Sequence, residues 1–229
     1  MLNLSVIVPF FNEENTLKES VTRLVNENIF DEIILSDDNS TDSSSEIAKT
    51  LEDEFVHIKY ISSDTNLGKG NALNVASKEV NTTHVVIHDA DLEYFPKDII
   101  EMYQFAKENP DSLILGSRFI GNKNRQNVYI RTYTANKVMS MFFSIVNLYW
   151  VTDIATCYKL MPSKFFKEMN IQENGFSIEV ETLSKFLKYN RSIIEVPISY
   201  EGRSYSEGKK IKLSDGFMYI VNTLKYRLR

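Results

Sequence analysis

Short apolar segments alternate with helix-like segments through the first half of this 229-residue chain. The apolar segments have the length of buried strands, and the segments between them are long enough to form helices. Such alternation is typical of an α/β fold, in which helices cover both faces of a mainly parallel sheet. The predicted strands are 5–8, 32–35, 56–61, 85–88 and 113–115, and the predicted helices are 13–28 (with Asn12 as its N-cap), 42–51, 70–78 and 96–109.

The second half of the chain has a less regular pattern. No repeat, low-complexity segment or linker separates it from the first half, so we predict a single domain that spans residues 1–229. The predicted helices of this half are 128–149, 176–189 and 213–228, and its predicted strands are 157–161 and 193–198.

The charge of the chain limits the partners that it can bind. A formal net charge of -5 disfavours a general nucleic-acid-binding protein. The segment 203–229 differs from this average, because it contains seven basic and two acidic residues. A basic segment on an acidic chain indicates an anionic partner, either a phosphate or the surface of an anionic membrane.

The single cysteine, Cys157, excludes an intramolecular disulfide and fits a reducing compartment. The first residues lack the basic start and the long apolar stretch of a signal peptide, and no run of 18 apolar residues is present. The nearest approach to such a run, 138–151, either packs in the core or lies on a membrane surface. We therefore expect a cytoplasmic protein, with peripheral contact to the cytoplasmic face of a membrane as an option.

An acidic triplet, Asp89-Ala90-Asp91, follows the fourth predicted strand, and Glu93 lies two residues beyond it. In sheets of this kind, ligands bind beyond the carboxyl ends of the strands. Two adjacent carboxylates repel each other unless a cation neutralises them, and Mg²⁺ commonly binds one or two carboxylates together with substrate phosphates. The triplet is therefore either a metal site for a diphosphate or a solvated acidic turn. Glu93 is either a third metal ligand or an exposed acid.

Polar segments also follow the first three predicted strands, at 8–14, 35–42 and 64–72. In the second of these, Asp38 can accept hydrogen bonds from a nucleobase or a ribose hydroxyl, and the residues after it can cap the next helix. In the third, Gly68 and the glycine two residues later let backbone amides approach a phosphate, to which Lys69 adds positive charge. The spacing in this segment is not that of a Walker loop.

Five segments together carry a resemblance to a known family. They are, in chain order, Val-Pro-Phe-Phe-Asn-Glu (8–13), Asp-Asp-Asn-Ser-Thr-Asp (37–42), Asn-Leu-Gly-Lys-Gly (66–70), Asp-Ala-Asp (89–91) and Gly-Ser-Arg (116–118). In this order and spacing they resemble family 2 glycosyltransferases of the GT-A fold, and within them the dolichyl- or polyprenyl-phosphate sugar transferases. The resemblance covers about residues 3–212.

The resemblance implies an inverting, metal-dependent transfer of a hexose from a nucleoside-diphosphate sugar of the GDP-mannose or UDP-glucose type. The implied acceptor is a polyprenyl or dolichyl phosphate, and the implied cofactor is Mg²⁺ or Mn²⁺. The chain then divides into a nucleotide-sugar-binding half, 1–117, and an acceptor half, 118–229, with a mobile loop at about 200–212. The predicted nucleotide pocket contains Pro9, Phe11, Glu13, Asp38, Gly68, Lys69, Asp89 and Ala90, and the predicted metal ligands are Asp89, Asp91 and Glu93.

Two positions depart from the usual pattern of the family. Glu93 stands where the family often has Gln, and the extra carboxylate should change the metal affinity or the local charge. Phe11 stands where Tyr is usual, and this removes a hydroxyl group. Neither departure breaks the resemblance.

The chemistry of the acceptor decides whether the reaction needs a general base. A phosphate monoester is largely ionised near neutral pH, since its second pKa is about 6, and it needs no strong base. A sugar hydroxyl does need one. Asp153 is then the first candidate and Glu179 the second, although Asp153 can equally be a structural carboxylate bonded to backbone amides. The predicted acceptor-binding residues are Arg118, Arg131, Arg203 and Lys210, and the predicted catalytic residues are Asp91, Arg118, Asp153 and Arg203.

Three alternatives remain open at this stage. The first is a family 2 glycosyltransferase that acts on a saccharide hydroxyl in the synthesis of cell-surface polysaccharide. The second is a nucleotidyltransferase, which should have a Gly-rich basic segment near its N-terminus that residues 9–14 lack. The third is a non-catalytic nucleotide-sugar-binding protein, against which the intact Asp89 and Asp91 argue.

Overall fold

The computed structural model describes residues 2–127, 130–175, 177–202 and 213–228, without the side chains of residues 131 and 213–215. The strands are β1 (Leu4–Phe10), β2 (Glu32–Asp37), β3 (Ile58–Ser62), β4 (His84–Ile87), β5 (Leu113–Ser117), β6 (Arg125–Gln126), β7 (Lys159–Pro162), β8 (Ile193–Pro197) and β9 (Tyr200–Glu201). The helices are α1 (Leu17–Asn26), α2 (Ser44–Glu54), α3 (Lys69–Ser77), α4 (Lys97–Glu108), α5 (Ile130–Asn147), α6 (Ser163–Glu168), α7 (Ile178–Tyr189) and α8 (Leu213–Leu228).

Seven strands form the central sheet in the order β3-β2-β1-β4-β7-β5-β8, and β6 pairs with β9 in a separate ribbon. The neighbours in the central sheet are parallel, except that β7 runs antiparallel to both β4 and β5. Every residue of β1 is buried, as expected for a strand covered on both faces. The prediction of an α/β fold with a mainly parallel sheet is therefore confirmed.

The core consists of two apolar layers, one on each face of the sheet. Successive side chains of β1 enter them in turn, because side chains alternate along a strand: Val6 and Val8 lie in one layer and Ile7 in the other. Helices α1, α2 and α4 cover the first layer, and α3, α5, α6, α7 and α8 cover the second. The strands of the central sheet come from both halves of the chain.

Two predicted helix starts were wrong. Helix α1 begins at Leu17, and Asn12 is not its N-cap. Asn12 instead has a φ of 53°, and its side-chain oxygen accepts a hydrogen bond from the backbone N–H of Thr41 at 2.8 Å. The side chain therefore ties the end of β1 to the segment after β2. Helix α2 was predicted to begin at residue 42, but it begins at Ser44. Asp42 lies before the helix, and its carboxylate accepts a hydrogen bond from the Ser44 N–H at 3.0 Å.

The apolar stretch predicted at 138–151 lies in α5 and the turn after it. Phe143 belongs to the second core layer, whereas Ile145 and Trp150 are exposed. The stretch therefore contributes some side chains to the core and exposes others, and its contact with a membrane surface stays a prediction. Among the described residues, no helix combines the length and hydrophobicity needed to cross a membrane.

Two backbones approach each other closely where α3 begins. The Gly70 N–H donates a hydrogen bond to the carbonyl oxygen of Asn174 at 3.1 Å. A Cβ atom on Gly70 would lie 1.8 Å from the carbonyl oxygen of Glu173, and one on Gly68 would lie 2.3 Å from that of Asn174. Gly68 also has a φ of 100°, which favours glycine. The two glycines thus admit the chain at 173–174, a role that their sequence did not indicate.

We expect Gly70→Ala to lower the free energy of unfolding by about 1–3 kcal/mol, because the new methyl group overlaps a backbone oxygen. Helix propensity alone predicts the opposite sign, since alanine is favoured over glycine by about 1 kcal/mol within a helix. Urea unfolding at equilibrium measures the difference.

Gly175→Ala is the matched control, because no atom lies within 4 Å of the Cβ position at Gly175. This variant should unfold at the wild-type urea concentration, within experimental error. Equal stability of the Gly70 and Gly175 variants would contradict the close approach.

Candidate active site

A cavity of about 310 Å³ opens at the carboxyl ends of the parallel strands. The segments that follow β1, β2, β4 and β5 all contribute to its wall, which is where sheets of this kind bind ligands. The sequence-predicted residues that line it are Pro9, Phe11, Glu13, Asp38, Gly68, Lys69, Asp89, Ala90, Asp91, Glu93, Arg118 and Glu179.

Four further predicted site residues are not among those that line the wall in the described part of the chain. Arg203 and Lys210 lie outside the described residues, as does most of the predicted loop at about 200–212. The side chain of Arg131 is likewise outside the description. Asp153 is described, and it is fully buried.

Left-handed residues turn the chain at three of the strand ends. Asn12 and Asn39 have φ values of 53° and 63°, a conformation that asparagine tolerates. The segment 89–93, which we call the acidic turn, follows β4. Its residue Leu92, between Asp91 and Glu93, has a φ of 65°, a conformation that costs a residue with a Cβ atom about 1–2 kcal/mol. The turn is held by the Glu93 N–H, which donates to Asp91 Oδ1 at 3.2 Å. The acidic turn is therefore a strained but well-supported element of the cavity wall.

The acidic turn is also fixed to the chain that follows β8. The hydroxyl of Tyr200 donates to Glu93 Oε2 at 2.7 Å, and the Glu201 N–H donates to the Glu93 carbonyl oxygen at 2.9 Å. The rings of Tyr94 and Tyr200 meet edge to face, with centroids 5.3 Å apart. Sequence patterns did not reveal this contact, because the two segments lie about a hundred residues apart and neither has a strand-like length.

Asp38 holds the neighbouring loop in place. Its carboxylate accepts hydrogen bonds from the backbone N–H groups of Leu67 and Gly68 and from the side-chain amide of Asn71. The amides of Gly68 and Gly70 are thus both engaged within the protein. A carboxylate has about four lone-pair positions, so Asp38 can support this loop and still accept from a ligand.

A partly buried chain of alternating charges runs from the acidic turn into the second half of the protein. Lys69 Nζ lies 2.8 Å from Asp89 Oδ1 and 2.9 Å from Glu179 Oε1. The other oxygen of Glu179 pairs with Lys159, which also donates to the carbonyl oxygen of Thr156. Each charge has a partner of opposite sign, as burial requires.

The pairing between Lys69 and Asp89 favours the ionised form of both groups. Burial opposes the charge on Lys69, but the carboxylates of Asp89 and Glu179 raise its pKa well above the ordinary lysine value. Burial likewise opposes the charge on Asp89, but the ammonium of Lys69 lowers the pKa of this carboxyl group. Glu179 binds two lysines, and this geometry favours a positioning role for it over that of a general base.

Arg118 is held at the cavity by Asp153. Its Nε and Nη2 atoms donate to the two carboxylate oxygens at 2.8 and 2.9 Å, and its backbone N–H donates to Oδ2 at 3.0 Å. The guanidinium carbon lies 4.9 Å from the ring centroid of Tyr200 and 5.6 Å from that of Phe119. Three donors on Asp153 make it a support for Arg118, as in the structural alternative given above. Its role as a base stays an untested prediction.

His88 has a structural place beside the acidic turn. Its ring nitrogens contact Ser20 Oγ at 3.1 Å and the Tyr158 hydroxyl at 2.9 Å. Burial lowers the pKa of His88 to about 4, so the ring is neutral near pH 7. Cys157 is buried against Asp89, and burial raises the pKa of its thiol well above the ordinary value. Neither residue is therefore prepared for acid–base or nucleophilic chemistry.

The donor set at the acidic turn fits a hard divalent cation. Asp89, Asp91 and Glu93 offer only carboxylate oxygens to the cavity, and Mg²⁺ and Mn²⁺ prefer oxygen ligands. Within the described part of the chain, no three histidine, cysteine or acidic side chains are already arranged as a metal site. The fit is therefore with a cation that takes one or two carboxylates and completes its shell with water and substrate phosphate.

A mainly parallel sheet whose strand ends carry an acidic turn, a nucleotide-sized cavity and a paired arginine fits the GT-A class of glycosyltransferases. Residues 5–169 match the family described as "Glycosyl transferase family 2". The chain belongs to this family, and it is a glycosyltransferase.

Several known proteins are similar to this chain. The dolichol-phosphate mannosyltransferase of Pyrococcus furiosus is 26% identical over 212 residues, which cover 91% of this chain but only 59% of that protein. The UDP-N-acetylglucosamine–dolichyl-phosphate N-acetylglucosaminyltransferase of Methanococcus voltae is 27% identical over 243 residues, covering 97% and 95% of the two chains.

A solved structure confirms the GT-A fold. It is glucosyl-3-phosphoglycerate synthase from Mycobacterium tuberculosis in complex with Mn²⁺, UDP and glucosyl-3-phosphoglycerate. The TM-score is 0.73 at 16% identity, and the match covers 99% of this chain and 80% of that one. Identity at this level establishes the fold and not the ligands.

We expect Asp153→Asn to lower the free energy of unfolding by about 3–5 kcal/mol, because it leaves the buried guanidinium of Arg118 without its counter-charge. Replacing both partners, as Arg118→Met with Asp153→Leu, should recover much of this loss, since no buried charge then remains. Chemical unfolding of the wild type, Arg118→Met, Asp153→Leu and the double variant gives the coupling energy between the two residues.

Glu19→Gln is the matched control, since it breaks an ion pair with Arg23 in which both side chains are more than one-third exposed. Its effect should stay within about 1 kcal/mol. A similar small loss for Asp153→Asn would show that Asp153 does not support Arg118.

Proposed function

We propose that this chain transfers a hexose, with inversion, from a nucleoside-diphosphate sugar to a polyprenyl or dolichyl phosphate. The donor is of the GDP-mannose or UDP-glucose type, and the cofactor is Mg²⁺ or Mn²⁺. The observation that carries the proposal is that one cavity contains both the acidic turn and a guanidinium held in place by a carboxylate. The names of the two dolichyl- and dolichol-phosphate relatives support the lipid phosphate acceptor.

The donor binds at the strand ends of the first half in this proposal. Pro9, Phe11, Glu13 and Asp38 contact the nucleoside, and all four line the cavity. One or two carboxylates from the predicted set Asp89, Asp91 and Glu93 would hold the divalent cation. When bound, this cation would offset the negative charge that develops on the departing nucleoside diphosphate.

The acceptor binds at Arg118, with Arg131, Arg203 and Lys210 as further predicted contacts. A guanidinium suits an acceptor phosphate, because it is permanently charged and presents several donors in one plane. A phosphate oxygen is already ionised at neutral pH and can attack the sugar without losing a proton. Lys69 stays with Asp89 and Glu179 and fixes the shape of the acidic wall.

A saccharide hydroxyl is the alternative acceptor, and it requires a general base. Both candidate bases are engaged: Asp153 accepts three hydrogen bonds from Arg118, and Glu179 pairs with two lysines. This occupation favours the phosphate acceptor. The match to a glycosyltransferase family removes the nucleotidyltransferase from consideration.

The donor is tested by incubating the purified protein with radiolabelled GDP-mannose, UDP-glucose or UDP-N-acetylglucosamine, a water-soluble short-chain prenyl phosphate and Mn²⁺ or Mg²⁺. We expect transfer from one donor, its loss with EDTA, and a loss of at least about a hundredfold in kcat/KM for Asp91→Asn.

Asp111→Asn is the matched control, because Asp111 is an exposed acid just before the amino end of β5. The cavity lies at the opposite, carboxyl ends of the parallel strands. The variant should retain wild-type kcat/KM. Full activity of Asp91→Asn, or undiminished activity in EDTA, would contradict the assignment of the cation to the acidic turn.

The acceptor is tested by the pH profile of the same reaction. For a phosphate acceptor, we expect kcat/KM to rise through pH 6, as the second phosphate proton leaves, and then to stay level to pH 8. The matching prenyl alcohol and simple saccharides should not be glycosylated. Transfer to a saccharide in preference to the prenyl phosphate would establish the alternative.

A further inference from the structure

The side chain of Tyr200 contacts both an acidic and a basic group of the cavity. Its hydroxyl donates to Glu93 Oε2 at 2.7 Å, and its ring centroid lies 4.9 Å from the guanidinium carbon of Arg118. Tyr200 is itself buried and lines the cavity. One side chain therefore joins the acidic turn, where the cation is predicted, to the guanidinium that suits an acceptor phosphate.

The hydroxyl of Tyr200 fixes the direction of the Glu93 carboxylate. The distance of 2.7 Å lies within the range of about 2.5–2.7 Å for a hydroxyl that donates to a carboxylate anion, and such bonds are stronger than those between neutral groups. Glu93 is also the acid that stands where the family often has glutamine. The extra carboxylate is therefore oriented by a donor from a distant part of the chain.

The backbone holds Tyr200 in place independently of its hydroxyl. The Tyr200 N–H donates to the carbonyl oxygen of Asn124 at 3.0 Å, and the Glu201 N–H donates to that of Glu93 at 2.9 Å. An antiparallel bridge also joins Tyr94 to Tyr200, and their two rings meet edge to face. Removal of the hydroxyl alone should therefore leave the ring where it is.

The ring of Tyr200 limits the positions that the Arg118 guanidinium can take. Its centroid is nearer to the guanidinium carbon than those of Phe119, at 5.6 Å, and Tyr94, at 6.0 Å. Distances of up to about 6 Å allow a favourable cation–π interaction, which is stronger where the cation is shielded from water. Asp153 binds Nε and Nη2, so the carboxylate and the ring together orient the group.

We propose that Tyr200 is a positioning residue for both substrates: its hydroxyl orients Glu93 towards the divalent cation, and its ring orients Arg118 towards the acceptor phosphate. Carboxylates at metal sites are commonly held by outer hydrogen-bond partners, whose loss weakens metal binding by about 10–100-fold. The inference rests on the proposed function, because it assumes a cation at the acidic turn and an anionic acceptor at Arg118.

Two variants separate the hydroxyl from the ring. Tyr200→Phe removes only the hydroxyl, and Tyr200→Leu removes the aromatic ring as well. Electron paramagnetic resonance of free Mn²⁺, in the presence of saturating UDP or GDP, measures the Mn²⁺ affinity of the purified protein without any sugar transfer. We expect both variants to raise the Kd for Mn²⁺ about tenfold. An unchanged or lower Kd in Tyr200→Phe would overturn the role of the hydroxyl.

The ring is tested through the kinetics of transfer to the water-soluble short-chain prenyl phosphate at saturating Mn²⁺. Tyr200→Phe should keep the wild-type KM for this acceptor within about twofold, because the ring against Arg118 remains. Tyr200→Leu should raise this KM about tenfold and lower kcat by less than about threefold, as expected for a loss of binding. Equal KM values for the two variants would overturn the role of the ring.

Tyr103→Phe is the matched control. The Tyr103 hydroxyl donates to the carbonyl oxygen of Leu2 at 2.7 Å, the same distance as at Tyr200, and Tyr103 does not line the cavity. This variant should keep the wild-type Kd for Mn²⁺ and the wild-type KM. Circular dichroism and the unfolding temperature establish that all variants are folded. A loss of Mn²⁺ affinity in Tyr103→Phe equal to that in Tyr200→Phe would contradict a specific role for Tyr200.

A double-mutant cycle shows whether the hydroxyl acts through Glu93. When Glu93→Ala is already present, Tyr200→Phe should change the Kd for Mn²⁺ by less than about twofold, because the acceptor of the hydrogen bond is gone. The full tenfold effect in that background would show that the hydroxyl acts elsewhere and would overturn the proposed link.

The two readouts also separate this inference from the proposed function. Transfer to the prenyl phosphate by the wild type, with wild-type Mn²⁺ affinity in Tyr200→Phe and wild-type KM in Tyr200→Leu, would retain the function and remove the role of Tyr200. Weaker Mn²⁺ binding by Tyr200→Phe, without any transfer to the prenyl phosphate by the wild type, would establish the link to the cation. It would remove both the proposed acceptor and the role of the ring towards it.

Discussion

The cavity depends on the ion pairs that the ammonium group of Lys69 forms with two carboxylates. This group lies between a carboxylate of the first half, Asp89, and one of the second half, Glu179, and Lys159 completes the neutralisation. In a buried setting, removal of any member would leave an uncompensated charge. The acidic turn, the start of α7 and strand β7 are consequently positioned by the same electrostatic chain, and the cavity has its shape before any ligand arrives.

Arg118 and Asp153 form a second prepared charge on the same cavity. Their pairing fixes the direction of the guanidinium, and the surrounding aromatic rings keep it partly shielded from water. Charges that are oriented in advance need little reorganisation during a reaction, which is how enzymes stabilise developing charge most effectively. The cavity thus presents an acidic wall and a fixed guanidinium, two regions of opposite charge, to any ligand.

Much of the fold followed from the sequence, because alternating apolar and helical segments leave few arrangements open. Ligands bind at the carboxyl ends of the strands in such sheets, and this rule predicted a shared site for the residues after them. Asp38, Asp89 and Arg118 do line one cavity. The direction of β7 was not predictable, since a four-residue apolar strand has the same pattern in either orientation. The pairing of Tyr200 with Glu93 and the close packing at Gly70 depend on contacts between distant segments, which local patterns do not encode.

The place of β7 in the sheet has a consequence for how such chains can diversify. Strand β7 belongs to the second half but is inserted between β4 and β5 of the first. A fragment that ended at residue 117 would leave two inner strand edges unpaired, and unpaired edges recruit other chains into aggregates. The first and second halves of the chain thus contribute alternating strands to one sheet. Evolution can alter specificity by changing loops or side chains, but not by exchanging one half for that of a relative.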